Sequence, residues 1–266
     1  MRTVVITLLV LAGLVVAVDF GAATAVEYQM SEQLRSELEL DAGPSVRING
    51  FPFLTQAVSG NYSEIDMQAS GLAVGPLTDV GVEATLHDVT APLAQVTSGM
   101  LGSARAAAVD GRLRIRDTDL GRAIGIEDLR LQPASDEEVD ESLGSAAVSE
   151  SDDESEDDRR AAVRVVATTD VTGQPVEVVV IGLLELADGM IRVTPTDVRF
   201  ATDAAGEESL PALVREPLLA VLTTEVDPGG LPFAVTPTAV SVETGSLLVE
   251  GTAQDVSLGQ AGADIG

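Results

Sequence analysis

The chain has no cysteine, no tryptophan and no lysine, and His87 is its single histidine. Without cysteine there can be no disulfide, thiolate nucleophile, zinc–thiolate site or lipid attachment through an N-terminal cysteine. One histidine removes most zinc sites and leaves one imidazole base, which falls on the polar phase of its strand and reads as a solvated surface side chain. Without lysine no phosphate-cradling loop ending in Gly-Lys-Ser/Thr can form, and Gly-x-Ser-x-Gly and a dinucleotide fingerprint are absent too. Aromatics are scarce, five Phe and two Tyr in 266 residues. Sugar-hydrolysing carboxylate pairs therefore lack the aromatic platforms they usually work beside. These absences point away from an enzyme, and they imply no cofactor and no metal.

Cations are also few. Fifteen arginines face 43 acidic residues, for a net charge of −28 and a pI near 4.1. This argues against nucleic acid as a partner, because phosphate neutralisation needs clustered cations. Electrostatic docking on anionic lipid heads is disfavoured for the same reason, so any membrane contact must be hydrophobic.

What the chain does have is apolar: 45% of its residues, mostly Val, Leu and Ala. This composition suits half-buried strands, and the length allows a sizeable core. Arg2 precedes an apolar run from Val4 to Val18, which ends at Asp19, and Ala23-Thr24-Ala25 offers a small-residue cleavage site. Residues 1–25 read either as a cleaved signal peptide or as a retained membrane anchor. In both cases Arg2 stays cytoplasmic and the remainder is exported to the envelope side of the membrane. From Ala25 to Leu38 the pattern turns helical, with Val26, Met30, Leu34 and Leu38 on one stripe.

The chain is organised around Gly50-Phe51-Pro52-Phe53-Leu54-Thr55-Gln56, which concentrates two of the five phenylalanines. A proline between two large apolar residues suits entry into a hydrophobic layer at a set direction. The same residues fit a core plug between helix and sheet, or the mouth of an apolar ligand groove. Alternating strands follow, through Ile65-Met67-Ala69 and Val80-Val82-Ala84-Leu86. Residues 95–108 suit a short helix, and Asp110-Gly111 signals a turn before Leu113 and Ile115. Arg112, Arg114 and Arg116 alternate with them, as a solvated strand face or as a seat for a phosphate or carboxylate head group. Ile124, Ile126, Leu129 and Leu131 mark another apolar segment.

Residues 135–158 carry twelve Asp or Glu and no cation, and read as a disordered acidic insert without an EF-hand pattern. Order resumes with alternating valines from 163 to 180. Hairpin turns are expected at Asp188-Gly189 and Thr244-Gly245, and an amphipathic helix over residues 209–224 leads to Leu231-Pro232-Phe233. Each half thus pairs a helix, strands and a proline–phenylalanine element, a loosely repeated texture.

The run Pro44-Ser45-Val46-Arg47-Ile48-Asn49 into the Gly50–Gln56 string, then Gly60 and Tyr62, resembles the LmeA-like phospholipid-binding proteins of actinobacterial cell envelopes. Leu231-Pro232-Phe233 after a helix is similar to that family's C-terminal half. The likeness covers roughly residues 20–260, and the acidic insert departs from it. It implies an α+β fold of the tubular, BPI-like lipid-binding kind, a long curved antiparallel sheet wrapped around amphipathic helices with an apolar tunnel between. It also implies phospholipid binding in the envelope and support for maturation of lipid-linked mannans (lipomannan). Residues 26–266 then form one lipid-binding domain, with Phe51, Phe53, Leu54 and Phe233 lining the lipid site. The contrasting reading is an envelope scaffold that recruits a glycosyltransferase partner without carrying lipid.

Overall fold

The computed structural model describes residues 2–258 except 38–39, 99–102, 127, 136–137, 140–157, 172–173, 188, 203–205, 210–212, 214, 217–218, 220–222 and 227–234. In chain order the elements are α1 (Arg2–Glu37), β1 (Ser45–Asn49), α2 (Phe53–Ser59), β2 (Asn61–Val74), β3 (Leu77–Thr90), α3 (Leu93–Ser98), β4 (Arg105–Arg116), α4 (Asp117–Ile124) and β5 (Arg130–Pro133). They continue with β6 (Arg160–Val171), β7 (Gln174–Ala187), β8 (Met190–Thr202), β9 (Gly206–Ser209), β10 (Thr224–Val226), β11 (Thr236–Glu243) and β12 (Ser246–Ser257). The fold is α+β with long antiparallel strands. It divides into two compact units, residues 1–72, 81–111 and 252–266, and residues 73–80 and 112–251.

In the first unit residues 45–49, 61–72, 81–90, 105–111 and 252–257, from β1, β2, β3, β4 and β12, are neighbours in that order. β1 runs antiparallel to β2 with Val46 opposite Met67 and Ile48 opposite Ile65, so the apolar phase of both strands falls on one face. β1 is the edge strand. Its Ile48 amide donates to the Glu27 carboxylate of α1 at 2.8 Å, which occupies a donor that an exposed edge would present. The expected helix over 25–38 is the far end of α1, a single helix of 36 residues that continues through Asp19. Beyond that point one face is inward, with Asp19, Ala23 and Met30 buried. Leu38 lies outside the described residues. The short helix expected over 95–108 is α3, and it ends at Ser98; residues 105–108 open β4 instead.

In the second unit β5 to β10 form a sheet in the order β10-β8-β7-β6-β5, with β9 on β8. The hairpin at 188–189 is present, with Ala187 opposite Met190, and so is the one at 244–245 between β11 and β12. Leu129, Leu131, Val163, Leu184, Leu186, Ile191, Val240 and Val249 pack into one core cluster. The turn expected at Asp110-Gly111 does not occur: both residues lie within β4. The segment holding Ile124 and Leu131 divides into α4, whose first turn carries Asp117 and Asp119, and β5.

Order extends past residue 135. The Ser135 amide donates to Glu138 at 3.1 Å while the Ser135 hydroxyl accepts from the Glu138 amide at 3.3 Å, a reciprocal capping box. Val139 is buried against Val166, Val179 and Ile181. The unstructured stretch read from the acidic composition therefore does not begin at residue 135, and residues 140–157 lie outside the described residues. Within 209–224, Leu213, Arg215, Glu216 and Leu219 are helical, whereas Ser209 closes β9 and Thr224 opens β10; most of the others lie outside the described residues.

Candidate functional site

The Gly50–Gln56 string forms a corner between β1 and α2, and each residue in it has a distinct task. Gly50 turns the chain at φ 100°, a region that side chains rarely adopt. A Cβ there would stand 2.5 Å from Ser63 Oγ and 2.8 Å from Gln56 Nε2. Gln56 ties the corner together: its Nε2 donates to Asn49 O at 3.2 Å, and its Oε1 accepts from the Ser63 amide at 2.8 Å. Pro52 follows a cis Phe51–Pro52 bond and occupies the N-cap of α2. Proline has no side-chain acceptor, so the first amides of α2 need a cap from elsewhere.

Asp19 of α1 supplies it. One carboxylate oxygen accepts from the Phe53 amide and the other from the Leu54 amide, each at 2.8 Å. Asp19 is only 3% exposed. A residue that reads in sequence as the end of the apolar run is thus an N-cap delivered from 34 positions upstream. At the other end of α2, Gly60 takes the left-handed conformation, and its carbonyl accepts from the Ala91 amide at 2.8 Å.

This corner sends its apolar side chains two ways. Phe53 points inward, 3% exposed, with its ring 6.5 Å from that of buried Tyr62. Phe51 points outward, 61% exposed, and stacks on Phe20 of α1 at 6.1 Å. Leu54 and Val58 are exposed on α2, and Val58 is 88% so. Phe20, Phe51, Leu54 and Val58 belong to one unit and lie where the exposed apolar half of α1 gives way to its docked half. Of the four lipid-lining residues expected from the resemblance, Phe51 and Leu54 are on this outer surface and Phe53 is in the core. Phe233 lies outside the described residues. Phe20, Val58 and Asp19 were not singled out in sequence, since only the pairing of α1 with α2 gives them a role.

Tyr62 carries the one buried side-chain polar atom without a partner among the described residues, its hydroxyl. Burial pushes its pKa up.

Other charged side chains among the described residues are paired with one another. Arg112 pairs with Glu250 at 2.6 Å, Arg114 with Glu243 at 2.7 Å and Arg116 with Asp79 at 2.9 Å, so the arginine row is laced to neighbouring carboxylates. His87 lies 2.9 Å from Asp110 and 3.6 Å from Glu64. Asp119 is buried at the start of α4. Burial acts to raise its pKa, but the Thr78 and Asp79 amides, the Thr78 hydroxyl and the Arg122 guanidinium outweigh it and hold the carboxyl below its usual range. Among the described residues no group of three or more His, Asp or Glu is placed to hold a metal ion.

Clefts open to solvent among the described residues include the following two. One of about 370 Å³ is lined by Asp158, Arg160, Ser241 and Glu250 among others, and one of about 280 Å³ by Arg47, Asp66, Gln68 and Glu83 among others. The first mixes alanines and valines with its charged side chains, the second is lined mostly by polar residues, and neither is the apolar tunnel that the resemblance implies.

A family model described as LmeA-like phospholipid-binding matches residues 17–252. No curated protein and no solved structure matches the chain.

Proposed function

The chain belongs to the LmeA-like phospholipid-binding family, and from that premise we propose that it binds or transfers phospholipid in the cell envelope without catalysing a reaction on it. Acyl chains are held by desolvation, at about 25 cal/mol for each Å² of apolar surface removed from water. The observation that carries this reading is the outward presentation of Phe51 and Leu54 on a corner held in place by Asp19 and Gln56. Large apolar side chains fixed on a surface by a built polar clamp indicate a surface that takes an apolar partner. In this reading Phe51 and Leu54 meet the lipid first, and Phe53 backs them from the core. The protein acts on the exported side of the membrane, where bound lipid supports lipomannan maturation.

The test is lipid stoichiometry on the full chain purified in a non-phospholipid detergent. About one phosphorus per chain after detergent exchange is the expected result, with Leu54→Asp losing most of it while keeping its far-ultraviolet circular dichroism. A chain that carries no phosphorus and takes up no added phosphatidylglycerol or phosphatidylinositol would overturn the proposal. That outcome fits the second reading, an envelope scaffold that recruits a glycosyltransferase, which the polar cleft beside Arg47, Asp66 and Glu83 favours.

A further inference from the structure

We propose that α1 is retained as a membrane anchor, and that Phe20, Phe51, Leu54 and Val58 form a collar that enters the surface of the bilayer where the helix leaves it. The occupant of this surface is the lipid bilayer, and the inference stands whether or not a lipid is carried.

Three observations carry it. The first is the dependence of the folded corner on residues upstream of the small-residue cleavage site. Cleavage at Ala23–Ala25 would remove Asp19, and with it the acceptor for the Phe53 and Leu54 amides. It would also remove Phe20, the ring partner of Phe51, and buried Ala23. The family match likewise starts at residue 17, ahead of that site.

The second is the contrast between the two halves of α1. The large apolar side chains from Val4 to Val18 are 40–68% exposed, and an 18-residue window of the helix has a mean hydropathy of 2.6. The one acid in this region, Asp19, turns its charge into the protein, so it presents no ion to lipid.

The third is length. Residues 2–18 rise about 25 Å at ~1.5 Å each, a few ångströms short of a hydrocarbon core of about 30 Å. The next apolar groups along the axis, Phe20 with Phe51 stacked on it, supply the missing depth at the level where aromatic side chains gather in membranes. Leu54 and Val58 widen that band on α2. With a net charge of −28 an apolar wedge, rather than charge attraction, is the available mode of contact.

Two measurements on the full chain test the proposal. Intact mass of the tagged protein recovered from carbonate-washed membranes should include residues 1–25; a mature species beginning between residues 24 and 27 would overturn it. For the collar, the absence of tryptophan makes Val58→Trp a single-site probe. In phosphatidylcholine vesicles with bromine on the upper acyl chain, its emission should be blue-shifted and quenched several-fold more than that of Ser70→Trp. Ser70 is an exposed position about 30 Å further along β2 at ~3.4 Å per residue. Equal quenching at the two sites would overturn the collar.

Discussion

Removing the Asp19 carboxylate should release the start of α2 while leaving most of the protein folded. The carboxylate accepts two backbone amides at 2.8 Å in a site that is 3% exposed, and Pro52 offers them no alternative cap. A hydrogen bond to a charged group contributes about 1.5–3 kcal/mol. Two such bonds, with some recovery as the freed amides reach water, place Asp19→Ala at a local cost of about 3 kcal/mol. At about 1.4 kcal/mol for each tenfold change, amide exchange in residues 50–60 should quicken by about a hundredfold. Asp19→Asn keeps one carbonyl acceptor but sets an amide group against the other N–H, so its effect should fall between Ala and the parent. Hydrogen exchange read by mass spectrometry, on the full chain in detergent, measures this peptide directly. Exchange within twofold of the parent for both variants would show that α2 does not depend on Asp19.

Other substitutions probe the same logic. Gly50→Ala places a Cβ against Ser63 and Gln56 at φ 100° and should cost about 2–3 kcal/mol in chemical denaturation, whereas a merely flexible linker would tolerate it. Tyr62→Phe deletes a buried hydroxyl without a partner, so the denaturation midpoint should hold or rise; a loss above about 1 kcal/mol would reveal a partner for that oxygen. Asp119→Asn should cost about 1.5–3 kcal/mol near neutral pH. Because its folded pKa is lowered, the stabilisation from Asp119 is complete above the unfolded carboxylate pKa and is lost as pH falls through the folded value. The parent should therefore lose its advantage over Asp119→Asn on acidification, and a constant gap across the acid limb would contradict the assignment.

The elements legible in sequence were those whose signal is local. Both hairpins carry a glycine at positive φ between two alternating runs, Gly189 at 78° and Gly245 at 84°. The Asp110-Gly111 pair has the same letters but lies in a strand that continues, where Asp110 faces His87 from the neighbouring strand. α4 is not legible as a helix although Asp117, Asp119 and the left-handed Gly125 are its start and stop signals, because the isoleucines beside it mark only an apolar segment of no set type.

The corner at residues 50–56 was legible as a focus, and the family likeness followed from it. The opposite directions of Phe51 and Phe53 were not. They depend on which face of the corner α1 covers, and that is set by a hydrogen bond spanning 34 residues. The same long-range bond explains why Asp19 reads as the end of an apolar helix but sits in the middle of one.

The most direct measurement for the whole account is a native mass spectrum of the full chain released from detergent. Phospholipid binding predicts a chain carrying one phospholipid mass, retained through gentle activation and lost in Leu54→Asp. A bare chain in both proteins, unchanged by added phospholipid, would contradict it.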